Sequence, residues 1–286
     1  MASPPAEPVA SPVGVIAGGG VMPFAVADSL SSRGLAPVLF ALRGACDPAP
    51  LSRFRHHWIS VGQIGRATKL FRSEGCRDLV FIGTLARPAL SEIRLDWGTL
   101  RVLREVWASF RGGDDHLLQG IGRILERDGF RMVGIKDVAP DLLTPEGCLT
   151  RAGPDADASV DIVLAREVLA ALGPFDIGQA VVVIDRHVVG VEDIEGTDGL
   201  LARIASLRQQ GRIRAKERRG VLVKAPKLSQ DLRFDLPTIG PRTVEGAANA
   251  KLAGIAVVAG NTLLAEPQEM IEAADARGLF VMGVPA

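Results

Sequence analysis

The chain has 286 residues, enough for one large domain or two ordinary ones, and its 33 basic side chains balance 33 acidic ones. Zero net charge argues against nucleic acid as the main partner, because backbone-phosphate binding shows as a basic excess. No run of about 18 uncharged apolar residues occurs, so no membrane span is expected, and three scattered cysteines (Cys46, Cys76, Cys148) without a C-x-x-C pair argue against a disulfide framework or zinc ribbon and for a cytoplasmic protein.

Residues 2–12 are small and Pro-rich, with neither a basic nor an apolar signal-peptide region, and read as a frayed tail. Val13–Ala17 reads as a buried strand running into Gly18, Gly19 and Gly20, and Pro23–Arg33 as a helix stopped by Gly34. A strand at Val38–Leu42, a helix at Ile64–Ser73 and a strand at Leu79–Ile82 follow. Residues 115–127 place Leu117, Leu118, Ile121, Ile124 and Leu125 on one helical face, with Asp114 or Asp115 as cap, and Phe130–Ile135 reads as another strand. Strand and helix in turn imply a parallel sheet with right-handed crossovers.

The Pro-, Gly- and Asp-rich stretch 137–154 has no clear period and reads as a linker between domains at 1–136 and 155–286. Beyond it, Ser159 or Asp161 caps a helix that ends at Gly173. "QAVVVIDRHVVGVEDIEG" reads as a β-hairpin turning near Asp185-Arg186-His187. A helix from Thr197-Asp198 through Leu207, a strand in "GVLVKAPK" and a polar loop in "QDLRFDLPTIGP" come next. Helices at Thr243–Leu252 and Pro267–Arg277, and strands at Ile255–Ala259 and Leu279–Val284, complete a second α/β domain.

A strand that runs through glycines into a helix aims backbone N–H groups at one point, a preformed anion site. Pro23 suits the first helical position, where its missing N–H has no intrahelical partner. A plain tight turn uses the same residues. A dinucleotide would also need an acid at the end of the second strand; "FALRG" offers Arg43 instead, which disfavours NAD and leaves NADP open. There is no G-x-x-x-x-G-K-[ST] loop and no G-x-S-x-G elbow. The four histidines, His56, His57, His116 and His187, do not readily supply a binuclear phosphoesterase site.

Two acid-rich clusters each follow an apolar strand. One holds Glu192, Asp193, Glu195 and Asp198; the other holds Lys224, Lys227, Gln230, Asp231, Arg233 and Asp235. Carboxylates with neighbouring cations suit Mg²⁺ shared with substrate phosphates. The same residues also have ordinary uses: Asp198 as a helix cap, Glu192 and Asp193 as solvated turn residues, Asp231 and Asp235 as the outer face of an edge strand.

The segments "GVIAGGGVMPFAVADSLSSRG", "FIGTLARP", "IKDVAPDLLTPEG", "DIGQAVVVIDRHVVGVEDIEGTDGLL", "VLVKAPKLSQDLRFDLPTIGPRTVE" and "VVAGNTLLAEPQEMIEAADARGLFVMGV" resemble the alternative, non-calcineurin-like UDP-2,3-diacylglucosamine pyrophosphatases of lipid A biosynthesis. The resemblance spans nearly the whole chain. It implies a Rossmann-like N-terminal domain, a second C-terminal α/β domain, and substrate held between them. It further implies metal-dependent hydrolysis, with Mg²⁺ or Mn²⁺, of UDP-2,3-diacylglucosamine to 2,3-diacylglucosamine 1-phosphate (lipid X) and UMP, with water attacking the sugar-side phosphorus.

The family's essential aspartate maps onto Asp231 first and Asp235 second. The resulting site places Gly18, Gly19, Gly20, Pro23, Thr84 and Gln230 on the substrate. Asp231 and Asp235, helped by Glu195 and Asp198, hold the metal or position water, and Lys224, Lys227 and Arg233 neutralise the phosphates. A cytoplasmic enzyme in peripheral contact with the inner membrane, and a homodimer, are compatible with this reading. The rival readings are an NADP-linked oxidoreductase and a non-catalytic sugar-nucleotide-binding regulator.

Overall fold

A computed structural model describes residues 7–84, 96, 114–215, 218–227 and 231–286. The chain divides into two compact units. The first comprises residues 1–141 together with the short segment Asp231–Asp235, and the second comprises 142–230 and 236–286.

In the first unit β1 (Val13–Ala17), α1 (Met22–Ser32), β2 (Pro37–Leu42), α2 (Pro48–Leu51), β3 (His56–Ile59), α3 (Ile64–Ser73), β4 (Asp78–Ile82), α4 (Asp114–Arg127), β5 (Arg131–Met132) and α5 (Ile135–Val138) follow in sequence. The strands form one parallel sheet in the order β3-β2-β1-β4-β5. β1 and β4 are buried apolar runs, as strands covered on both faces must be. Chain order reverses between β1 and β4, so the topological switch point lies at their carboxyl ends, where open α/β sheets bind ligands. Phe40, Phe71 and Phe130 pack edge-to-face in the core, with ring centroids 4.5 and 5.5 Å apart.

Two local expectations need correction. The strand expected over Phe130–Ile135 covers only Arg131–Met132, because the amide of Gly134 donates to the Asp137 carboxylate (2.9 Å) and the chain turns into α5. Within 137–154, expected to be aperiodic, lie the end of α5, a 3₁₀ turn at Pro140–Leu142 and a two-residue strand.

The second unit contains β6 (Gly147–Cys148), α6 (Ala156–Leu172), β7 (Ala180–Ile184), β8 (His187–Val191), α7 (Gly196–Gln209), β9 (Val221–Lys224), β10 (Thr238–Ile239), α8 (Pro241–Asn249), β11 (Gly254–Val258), β12 (Leu263–Leu264), α9 (Pro267–Arg277) and β13 (Phe280–Val284). Six of the strands form a mixed sheet in the order β6-β13-β11-β9-β7-β8, with β9, β11 and β13 parallel and β7 running against β9. Along β7, Ala180, Val182 and Ile184 enter one apolar cluster while Val181 and Val183 enter another, so both faces of this sheet are covered.

Helix α6 starts earlier than expected. Asp155 is its cap, accepting from the Ala158 amide at 2.7 Å. Asp161 is buried inside the helix and accepts the amides of Asp185 (3.1 Å) and Arg186 (2.6 Å), which ties the β7–β8 turn to α6.

Candidate functional site

The glycine loop leaves β1 at the switch point. The Gly18 amide donates to the Ile82 carbonyl (2.9 Å), and Gly19 and Thr84 exchange backbone bonds of 2.8 and 3.0 Å, so the loops after β1 and β4 are tied together. A Cβ on Gly18 would stand 2.6 Å from the Thr84 carbonyl oxygen, and one on Gly19 would stand 2.7 Å from Thr84 Oγ1. Packing against the β4 loop therefore demands glycine at both positions. Gly20 is different: its φ is +87° and a Cβ there would meet nothing within 4 Å. Gly20 and Thr84 are exposed, whereas Gly18, Gly19 and Pro23 are buried. Pro23 occupies the second helical position of α1, whose N-terminus has no side-chain cap. The accessible backbone of this loop is thus that around Gly20 at the start of α1, next to Thr84.

The segment Asp231–Asp235 is a turn, not an edge strand. The amides of Phe234 and Asp235 donate to the Asp231 carbonyl at 3.0 and 3.3 Å, and the Arg233 amide donates to Asp231 Oδ1 at 3.1 Å. This Asx-type turn is what Asp at its head favours. The Arg233 guanidinium adds a two-pronged pair to the same carboxylate, Nε to Oδ1 at 3.1 Å and Nη2 to Oδ2 at 2.8 Å. That pairing holds the Asp231 carboxyl below the usual carboxylate range and raises Arg233 above its ordinary value.

The turn belongs to the first unit because its side chains are anchored there. Phe234 is buried in the core of that unit, and a Cβ on Gly122 of α4 would stand 2.3 Å from Phe234 Cζ. Arg233 Nη1 donates to Glu126 Oε1 at 2.8 Å, also on α4. A Cβ on Gly134, just past β5, would stand 3.5 Å from the Arg233 Cα. The turn therefore sits at the carboxyl end of β5, on the same sheet edge as the loops after β1 and β4. Gly122 and Glu126 escaped the sequence reading; a glycine inside an otherwise helical pattern was the one available signal, since it marks a close approach.

In the second unit Lys224 ends β9 with its side chain buried, and its Nζ donates to the Thr238 carbonyl at 3.0 Å. Lys227 Nζ donates to Asp176 Oδ1 at 2.6 Å. Glu195 accepts from Arg203 Nη2 at 2.7 Å, which lowers its pKa, and Asp198 accepts from Arg242 Nη2 at 2.5 Å instead of capping α7. Glu192 is buried, not a solvated turn residue; it accepts the Gln179 amide (2.9 Å) and the Thr197 hydroxyl (2.8 Å). Gln230 lies outside the described residues, as do 85–88 of "FIGTLARP" and the side chains of Asp114, Asp115, His116 and Leu117.

Among the described residues no group of three or more His, Cys, Asp or Glu side chains could hold a metal ion. Asp231 and Asp235 thus lie in one turn of the first unit, while Glu195 and Asp198 belong to the second. Carboxylates are a ligand type that magnesium and manganese take, the rest of their shell coming from water and phosphate oxygens. Arg43, the residue that left NADP open, stacks over Trp58 at 5.5 Å.

Comparison with known proteins gives a consistent answer. Residues 12–142 match the LpxI N-terminal domain family and residues 145–282 match the LpxI C-terminal domain family. The chain is 40% identical over 272 residues to the UDP-2,3-diacylglucosamine pyrophosphatase LpxI of Caulobacter vibrioides (strain ATCC 19089 / CIP 103742 / CB 15), covering 95% of this chain and 97% of that protein. With both halves matched and no large part of either protein left over, the chain belongs to the LpxI family.

Proposed function

We propose that this chain hydrolyses UDP-2,3-diacylglucosamine to 2,3-diacylglucosamine 1-phosphate and UMP. The observation that carries this reading is the end-to-end likeness to a protein bearing that activity in its name. The geometry of the first unit supports it: the Asp231 turn and the open backbone at Gly20 share the sheet edge where α/β folds take ligands.

In this mechanism the oxygen of water bonds to the sugar-side phosphorus, the bridging P–O bond breaks, and the bridging oxygen leaves with UMP. Asp231 and Asp235 orient that water and would hold a magnesium or manganese ion. When bound, the ion supplies neutralisation of charge on the diphosphate. Arg233 acts on Asp231, since its guanidinium is taken up by Asp231 and Glu126. Lys224 and Lys227 of the second unit carry charge that can neutralise phosphate. We also propose that the protein works in the cytoplasm against the inner membrane, where a diacylated substrate resides; among the described residues no helix is long and apolar enough to cross a membrane.

Incubation with UDP-2,3-diacylglucosamine, with and without Mg²⁺, followed by chromatography of UMP, tests the reading. The wild type releases UMP, and Asp231→Asn lowers the rate by about 100-fold or more. Absence of UMP with the folded wild type overturns the activity; a wild-type rate for Asp231→Asn overturns the residue's role.

A further inference from the structure

We infer that Gly122 and Glu126 of α4 are positioning residues for Asp231. The inference deepens the proposed function, since it rests on Asp231 being the working carboxylate. Gly122 and Glu126 are one helical turn apart and share a face of α4. Gly122 leaves a notch that the Phe234 ring fills, and Glu126 takes the Arg233 prong that Asp231 does not use.

The Arg233–Asp231 pair is local, spanning two residues, and would form wherever the turn lay. What fixes it to the sheet edge is α4, whose Glu126 precedes Arg233 by 107 residues in sequence. Three points then define the turn: the Phe234 ring against Gly122, the Arg233 backbone against Gly134, and the Arg233 head on Glu126. A two-pronged Arg–carboxylate pair fixes a plane as well as a distance, so locating the guanidinium locates the Asp231 oxygens.

A purely structural role predicts something different. Glu126 and Arg233 are both substantially exposed, with side-chain accessibilities of 35% and 43%, and exposed pairs add little to stability. Loss of Glu126 should therefore spare the fold and damage the chemistry.

The test uses the full chain with Glu126→Ala, Glu126→Gln, Gly122→Ala and the double variant Gly122→Ala/Phe234→Leu. Glu126→Ala keeps its melting temperature within about 2 °C. Its kcat for UMP release falls about tenfold or more while KM stays within about twofold, because misplacing a catalytic group costs rate, not binding. Glu126→Gln, which retains an acceptor for Arg233 Nη1, recovers most of that loss. Gly122→Ala lowers kcat by pushing the Phe234 ring out, and the smaller leucine in the double variant restores part of it.

A readout independent of turnover is the Arg233 Nε–H NMR signal, assigned with Arg233→Lys, which shifts in Glu126→Ala. If that signal does not move, or if Glu126→Ala keeps the wild-type kcat, or if kcat and melting temperature fall together while KM rises, the inference is wrong. A wild-type chain that releases no UMP while the Arg233 signal still shifts in Glu126→Ala refutes the proposed function and leaves the positioning link standing.

Discussion

Asp78 opens β4 with its side chain fully buried, and three N–H groups converge on its carboxylate. Arg131 Nε reaches Oδ1 at 2.8 Å, Arg131 Nη2 and the Ala10 amide reach Oδ2, the latter at 2.6 Å. Asp78→Asn keeps the volume but removes the charge and turns one acceptor into an NH₂ group that faces donors. Breaking a buried pair from one side costs about 3–5 kcal/mol. Arg131 is 24% exposed and keeps the Glu7 carboxylate, so the uncovered guanidinium regains some hydration and the lower end applies, about 3 kcal/mol. For a unit of this size that lowers the melting temperature by roughly 6–12 °C. Circular dichroism melts at neutral pH read it directly. The Asp78→Leu/Arg131→Met pair, which leaves no buried charge behind, should recover much of the loss. A shift under about 2 °C for Asp78→Asn would show that the pair is not what secures β4 to β5, and the reasoning would fail.

Arg186→Gly should stabilise the second unit by about 0.5–1 kcal/mol. Asp185 and Arg186 have φ of +50° and +64°, a left-handed pair that glycine adopts without strain, and the backbone amide that Asp161 accepts is retained; a lower urea midpoint would contradict this. Glu74 has its pKa lowered by hydrogen bonding to His57, with Arg55 adding to the effect. A carboxyl depressed in the folded state stabilises above the usual carboxylate range and loses that contribution as pH falls through its folded value. Glu74→Gln should therefore flatten the dependence of unfolding free energy on pH between about 5 and 3; an unchanged slope would rule the contribution out.

The parallel strands were legible because a strand covered on both faces must be apolar throughout, and "VGVIA" and "DLVFI" are close to that. Edge strand β3, "HHWI", was not, since its first three residues are only half buried and their polarity hides the strand. Strand β5 was overread because Gly134 and Asp137 form a turn whose bond is a side chain reaching back three residues, which apolar patterning does not register. The family could be read from local motifs, and the segment around Asp231 as a polar loop, though not its turn. The attachment of that turn to α4 could not, because Glu126 looks like one more solvated acid on a helix until the fold brings Arg233 to it. Asp198 misled in the opposite sense: an acid in the first turn of α7 suggests a cap, yet it pairs with Arg242 on α8.

That Asp231–Asp235 completes a unit otherwise built from residues 1–141 has a consequence for biosynthesis. On the ribosome the first unit emerges with the hydrophobic slot over Gly122 vacant, and Phe234 arrives only after most of the second unit has been translated. A truncated product ending at the border near residue 141 would expose that slot to chaperones and proteases and would carry no Asp231, so premature termination there yields neither a finished fold nor half an enzyme.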